Sequence, residues 1–378
     1  SLLKKKKINN VILEASSHGL KQNRLDGLNI SSAIFTNFSH DHLDYHSNLK
    51  DYLNAKLYLF NKLLKKNSTI IIDKSIKEFN RIKNISKKKG IKLKTLFNNK
   101  SSLNFISHRY DGEKQEIKIS FNGKKYNFKL NLIGKTQVKN VLMAIIAAES
   151  SKINFSKIIR NIHKLKTVNG RFEKIGKLKN NSLVILDYAH TPDALKTCLN
   201  DLKNQFQNKN INIVFGCGGD RDKYKRAKMG AIANFYCSKI YLTDDNPRYE
   251  NPKKIRNDIK KNIIPEKVSE ISNRELAISK AIENLKSNEI LVVAGKGHEL
   301  TQDYGRKKNF FSDKIIIKKF IKKKNKKISN NIKVNILNEY FEKKISNNIK
   351  IKTASINSQT IKKNEAFFAI KGEKKDGN

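Results

Sequence analysis

The chain has 378 residues, 38% of them apolar, with 79 basic and 34 acidic side chains and a formal net charge of +45. That length suits two or three domains, and the absence of a run of eighteen apolar residues excludes a membrane-spanning helix. The charge invites a nucleic-acid reading, but lysine, asparagine and isoleucine are raised everywhere, and no RNA-recognition signature or zinc finger occurs, so nucleic-acid binding ranks below an enzyme.

In chain order, Val11–Leu13 and Ala33–Thr36 read as buried strands. Leu49–Leu64 has helical apolar spacing, Thr69–Ile72 reads as a strand and Ile76–Lys89 as a polar helix. From Leu103 to Ile133 the pattern turns to period two, which predicts a small antiparallel section. Val138–Glu149 and Phe155–Leu165 then read as helices. A second α/β unit starts near Gly170, with strands Leu183–Leu186, Ile211–Phe215, Ile240–Thr243 and Glu289–Ala294. Helices Pro192–Phe206, Lys225–Tyr236, Pro252–Ile263 and Asn273–Leu285 lie between them, an alternation that predicts a mostly parallel sheet. Lys318–Asn331 reads as a solvated helix end plus linker. A short helix, Val334–Phe341, and strands Ile349–Ala354 and Ala366–Ile370 follow. No secretory leader precedes the first strand, and the chain opens on Ser1, so it reads as a piece lacking its N-terminus. Cys198, Cys217 and Cys237, odd in number and without metal-ligand spacing, point to a reducing cytoplasm.

Five stretches carry chemistry. Glu14 follows its strand directly, where a carboxylate can hold Mg²⁺. Residues 40–46 hold three histidines and two aspartates; zinc is one reading, although cysteine is absent there, and a polar loop without function is another. Lys56 sits on the apolar stripe between Leu53 and Phe60, where an amine must be paired, modified or snorkelling. Asp-Asp-Asn-Pro-Arg (244–248) and Gly-Lys-Gly-His-Glu (295–299) each follow an apolar strand, the place where an open α/β sheet builds its site. Together these loops offer Arg248, Asp245 and Glu299, a set suited to a zwitterion; a capped turn ahead of the Pro252 helix is the plainer reading of the first.

Seven segments in this order resemble the Mur ligases, ATP-dependent amino-acid-adding enzymes of peptidoglycan synthesis, and most of all the branch that adds meso-diaminopimelate. They are Glu-Ala-Ser-Ser-His-Gly-Leu (14–20), Phe-Thr-Asn-Phe-Ser-His-Asp-His-Leu-Asp-Tyr-His (35–46), Gly-Arg-Phe-Glu (170–173), Asp-Tyr-Ala-His-Thr-Pro-Asp-Ala-Leu (187–195), Phe-Gly-Cys-Gly-Gly-Asp-Arg-Asp (215–222), and the two loops above. The resemblance spans about residues 8–318. It implies a partial ATPase-type α/β central domain over 1–169, a Rossmann-like α/β C-terminal domain over 170–320, a linker over 321–333 and a partial α/β domain over 334–378. It also implies ATP and Mg²⁺ as cofactors. Glu14, His42 and a carbamylated Lys56 would hold the metal and serve catalysis. Ser16, Gln22 and Arg24 would contact UDP-N-acetylmuramoyl-L-alanyl-D-glutamate. Gln137, Asn140, Arg171, Asp187, Tyr188 and His190 would face the nucleotide. Arg221, Asp245, Asn246, Pro247, Arg248, Gly295 and Glu299 would select meso-2,6-diaminopimelate, with Arg248 on its distal carboxylate and Asp245 and Glu299 on its ammonium. The implied reaction runs through an acyl phosphate on a cytoplasmic monomer with no nucleic-acid partner.

Two departures qualify the resemblance. No Gly-x-x-Gly-Lys-[Ser/Thr] loop occurs; Gly134-Lys135-Thr136 sits in the wrong context to replace it, so this piece by itself is expected to be inactive. Residues 354–377 look like the opening of a second Mur ligase, the one that adds D-alanyl-D-alanine, although Asn357-Ser358-Gln359 replaces the family's charged triplet. With Met143 and Met229 the sole methionines, a continuous fusion is expected, and a frameshift is the plainer alternative. A folylpolyglutamate synthase-like ligase is the enzyme alternative, and a basic nucleic-acid-binding protein the other.

Overall fold

The computed structural model describes residues 6–8, 10–96, 103–341, 353–355 and 365–367. The first module opens with a short helix α1 (Ser17–Lys21) and strand β1 (Ile30–Phe35), then helix α2 (Leu49–Tyr58), strand β2 (Leu64–Asp73), helix α3 (Phe79–Lys89) and strand β3 (Lys92–Leu96). The three strands pair in parallel in the order β1-β2-β3. An antiparallel sheet follows, β4 (Leu103–Asp111), β5 (Lys114–Phe121) and β6 (Lys124–Leu130), as the period-two pattern predicts. Helix α4 (Lys135–Ser150) packs between the two sheets, its Val138, Leu142 and Ile145 sharing one core with Ile71, Ile117 and Ile119. Helix α5 (Phe155–Asn161) closes the module, ending sooner than the pattern suggests because a single 3-10 turn takes over at Ile162.

The second module runs β7 (Glu173–Lys177), β8 (Leu183–Asp187), α6 (Pro192–Gln205), β9 (Ile211–Phe215), α7 (Lys225–Tyr236), β10 (Lys239–Leu242), α8 (Pro252–Lys260), β11 (Val268–Glu270), α9 (Arg274–Asn284) and β12 (Ile290–Ala294). A small hairpin, β13 (Thr301–Asp303) with β14 (Lys308–Phe310), leads into α10 (Asp313–Phe341). The strands form one sheet in the order β11-β10-β9-β12-β8-β7, parallel except for β7 at the edge. Continuous apolar strands suit a sheet covered on both faces, and the period-two rule sorts them. Ile211, Ile213, Ile290 and Val292 face α6, α7 and α8, whereas Val214, Leu291 and Val293 face α9 and α10. Because β12 inserts between β8 and β9, the strand order reverses there, and the carboxyl-end loops of β8, β9, β10 and β12 open a crevice. Helix α6 starts where the sequence says it should, with Thr191 capping the Ala194 N–H at 3.3 Å and Pro192 in the first turn. Among the described residues no helix is long and apolar enough to cross a membrane.

Three expectations change. Val11–Leu13 forms no strand, and the side chains of Val11, Ile12 and Leu13 are 51%, 99% and 55% exposed. A three-residue apolar run becomes a strand only where a neighbour offers a ladder, and among the described residues none pairs with it. The Leu49–Leu64 helix stops at Tyr58, passes through a π turn at Leu59–Leu63, and enters β2 at Leu64. Lys89 Nζ captures the freed carbonyls of Asn61 and Leu64 at 2.7 and 2.8 Å, which makes the exit tolerable. The expected linker over 321–333 lies within the single helix α10. No glycine or proline stands between Gly305 and Gly372, so nothing in the backbone interrupts it. Of the expected partial domain over 334–378, the described residues add the end of α10 and a parallel pair, β15 (Thr353–Ser355) with β16 (Glu365–Phe367); the rest lies outside them.

Leu199 is fully buried between α6 and the sheet. Leu199→Ala is expected to destabilise the second module by about 2–5 kcal/mol, seen as a lower urea midpoint at unchanged m-value; a midpoint within error of the parent would contradict this core.

Candidate active site

The loops after β9 and β10 are pressed together by glycine. A Cβ on Gly219 would lie 1.9 Å from the Pro247 carbonyl oxygen, so no other residue fits. The contact is then braced. Arg226, fully buried, donates to both Glu250 oxygens at 2.9 and 3.0 Å and to Asp258 at 3.2 Å, while Glu250 accepts from the Asp220 N–H at 2.6 Å. On this platform Arg248 adopts a left-handed backbone (φ 52°), a conformation seldom used by non-glycine residues. Its N–H donates to Asp303 O at 3.0 Å and its Nη1 to Gly219 O at 2.6 Å. The half-buried guanidinium faces no carboxylate at ion-pair distance among the described residues.

The loop after β12 brings the acidic partners. Glu299 Oε2 accepts from Lys296 Nζ and Asn246 Nδ2, both at 3.0 Å, and the Tyr188 hydroxyl stands 3.4 Å from Oε1. Lys296, completely buried, also donates to Asn246 Oδ1 at 2.8 Å. Asp245 is buried with Oδ2 lacking a hydrogen-bond partner. Gly295 (φ 109°) makes room for it, since a Cβ there would lie 2.7 Å from that oxygen. The structure therefore gathers Asp245, Asn246, Pro247, Arg248, Gly295 and Glu299 at one end of the sheet. Lys296 belongs with them and is absent from the sequence-derived set, although a lysine between two glycines directly after a buried strand is a usable hint.

Arg221 does not join them. Its stem passes Gly218, near Arg248 Nη1, but its guanidinium pairs with Asp44 of the first module. A second bond crosses beside it, His40 Nε2 to Asp222 Oδ2 at 3.0 Å. The histidine-rich loop is thus a bridge between modules. His18, His42 and His46 cluster with Tyr45 and Tyr52 through ring contacts of 4.0–5.7 Å. Burial, then repulsion by His42 and His46, lowers the His18 pKa, and burial lowers that of His46, whose Nε2 meets Ser17 Oγ at 3.0 Å. Among the described residues no three His, Cys, Asp or Glu side chains converge to hold a metal ion, so the zinc reading gains no support.

Lys56 is half-buried, its Nζ 5.1 Å from the Tyr52 ring centre. Burial pulls its amine below the ordinary lysine range, against the opposing fields of Asp41 and Glu14. Glu14 and Asp41 are therefore electrostatic neighbours of Lys56, and His42 is next to Asp41. Ser16 caps α1 by accepting from the Gly19 N–H at 3.1 Å, Gln22 donates to the Tyr45 hydroxyl at 3.0 Å, and both, with Arg24, lie exposed at the two ends of α1.

The residues expected to face a nucleotide divide. Arg171 lies over the Tyr188 ring at 4.5 Å, and Tyr188 contacts His190 and His298 edge-on or tilted. Asp187 is turned inward instead, accepting from the Phe172 and Ala189 N–H groups at 2.7 and 2.9 Å, and burial raises its pKa. It shapes the loop. Gln137 is half-buried and Asn140 exposed in the first turns of α4. The N-terminus of that helix is filled by Asp201 and Gln205 of α6, which accept from the Thr136 and Gly134 N–H groups, each at 2.9 Å. An acidic side chain already occupies the helix end that a phosphate would want.

Burial raises the Glu299 carboxyl, but Lys296, Asn246 and Tyr188 outweigh it and hold its pKa below the usual value. A carboxyl held down in this way adds stability above its unfolded pKa and loses it as pH falls through the folded one. Lys296→Met removes the cation and leaves the burial. Glu299 should then titrate higher, seen by carboxyl ¹³C shifts against pH; an unmoved titration would refute the network.

Residues 1–148 match the Mur ligase middle domain and residues 170–297 the Mur ligase glutamate ligase domain. The chain is similar to the UDP-N-acetylmuramoyl-L-alanyl-D-glutamate--2,6-diaminopimelate ligases of Rickettsia rickettsii (41% identical, 82% of this chain, 64% of that protein) and Wigglesworthia glossinidia brevipalpis (43%, 84% and 64%). A solved structure of a ligase of the same name superposes with a TM-score of 0.55 at 33% identity, covering 82% of this chain and 64% of that one. The chain therefore spans about 64% of the length of these curated relatives. With both modules matched and a Rickettsia felis ligase of the same name 36% identical over 67% of its length, this chain belongs to the Mur ligase family.

Proposed function

We propose that this chain carries the amino-acid-binding and part of the ATP-using machinery of a ligase that adds meso-2,6-diaminopimelate to UDP-N-acetylmuramoyl-L-alanyl-D-glutamate. The observation that carries the reading is the state of Arg248: backed by the Gly219 carbonyl, without a carboxylate partner among the described residues, and grouped with Asp245 and Glu299. A ligand with a carboxylate and an ammonium at its far end would complete these charges. L-lysine, lacking that carboxylate, would leave Arg248 unpaired, a mismatch that discriminates strongly. The printed names of the relatives support the same substrate class.

The chemistry follows. The D-glutamate carboxylate attacks the γ-phosphorus of ATP, the bond to ADP breaks, and an acyl phosphate forms. The diaminopimelate amine attacks the acyl carbon, the C–O bond to phosphate breaks, and the amide remains once the nitrogen gives up its proton. The protein's share is positioning and charge stabilisation. Mg²⁺, when bound, would neutralise phosphate charge. Glu14, His42 and Lys56 suit it only if Lys56 is carbamylated, since a free ammonium would repel the ion; the lowered Lys56 pKa favours the neutral amine that carbamylation needs. Ser16, Gln22 and Arg24 would contact the nucleotide-sugar dipeptide, and Arg171, Tyr188 and His190, with Gln137 and Asn140, the ATP side. Three free, buried cysteines fit a reducing compartment.

Arg248→Ala should weaken calorimetric binding of meso-diaminopimelate by about 30-fold or more, the effect of stripping one partner from a buried charge pair, and leave L-lysine binding unchanged. Equal affinity in parent and variant would remove the assigned role. In a complete ligase that includes the phosphate loop, Lys56→Ala should abolish turnover, with added bicarbonate giving no rescue; a fully active variant would rule out the carbamate.

A further inference from the structure

Arg274, at the first turn of α9, is fully buried and spends only part of its fork. Nε and Nη2 donate to the two oxygens of Asp313, each at 2.8 Å, and Nη2 also to Ala294 O at 2.9 Å. Asp313 is itself fully buried at the start of α10, and Ala294 ends β12. Arg274 is thereby fixed to a helix and a strand that flank the crevice. Its remaining nitrogen, Nη1, has no hydrogen-bond partner and points at Asp245 Oδ2 from 3.9 Å. That oxygen is likewise buried and without a hydrogen-bond partner. Two buried atoms of opposite charge, each unsatisfied and each facing the other, are uncommon in a folded protein.

The separation matters. In hydrogen-bond contact, Arg274 would consume the Asp245 oxygen. At 3.9 Å the field of Arg274 still orients the carboxylate, while the missing Cβ of Gly295 leaves Oδ2 just enough room. We propose that Arg274 is a positioning residue, locked by Asp313 and Ala294, that holds the Asp245 carboxylate in place for the ammonium of the incoming amino acid. The proposal rests on the reading of Asp245 as an ammonium acceptor. Lysine cannot replace this fork: one ammonium on a flexible stem does not bridge Asp313, Ala294 and Asp245 in a fixed plane.

The test compares the full chain with its Arg274→Lys and Asp313→Asn variants by thermal melting, crystallography and calorimetric titration with meso-diaminopimelate. Both variants should melt cooperatively, show the Asp245 carboxylate displaced from its place beside Gly295, and bind meso-diaminopimelate about tenfold more weakly or worse. L-lysine, titrated in parallel, should lose affinity by the same factor, because its side-chain ammonium would use Asp245 as well. An Asp245 carboxylate unmoved in a folded Arg274→Lys variant overturns the proposal whether or not ligand binds. If the unmodified chain binds no meso-diaminopimelate, the functional reading falls instead, and the crystallographic comparison still decides the role of Arg274.

Discussion

Every charge buried at the carboxyl ends of the C-terminal sheet has to find its opposite, and that requirement organises the site. A lone ion in a protein interior is expensive, whereas a paired and hydrogen-bonded one is tolerable. Lys296 meets Glu299 and Asn246, Arg226 meets Glu250 and Asp258, and Arg274 meets Asp313. Each pair joins two loops or helices that are distant in sequence, apart from the local bond between Lys296 and Glu299. Once these pairs are made, Arg248 is left without a carboxylate and Asp245 Oδ2 without a donor. These two groups, one cationic and one anionic at the same end of the sheet, are what a zwitterionic ligand would complete.

The same requirement governs how the modules meet. Helix α4 of the first module starts on Asp201 and Gln205 of the second, which fixes the region around Gly134. Farther out, Arg221 and Asp222 are held by Asp44 and His40. Arg221, expected from the resemblance to contact the incoming amino acid, is held here by the first module instead. Exposed pairs of this kind are weak, and Arg221 is half exposed.

Much of this was legible in the chain itself. The α/β alternation, the doubly covered parallel sheet and the antiparallel insert followed from apolar periodicity, and helix starts at Pro192 and Pro252 from local capping chemistry. Errors fell where local pattern and tertiary supply disagreed. Val11–Leu13 looks like a strand but has no ladder among the described residues. Leu49–Leu64 looks like one helix but is cut by a π turn whose carbonyls Lys89, distant in sequence, satisfies. Short edge strands such as β7 and β11 carry too little apolar content to stand out.

For the site, the order and content of its motifs determined the family resemblance and which loops would meet, because strand-to-loop transitions in such a sheet always open on one side. Which of those residues face the crevice was decided only by packing. Asp187 turned inward to bind backbone N–H groups, Arg221 turned outward to Asp44, and Lys296 and Arg274 became part of the cluster. Residue type fixes the charge a side chain brings. The partner it finds, and hence whether that charge is spent or left open, depends on contacts between residues as far apart in the chain as Arg274 and Asp313, which no local pattern encodes.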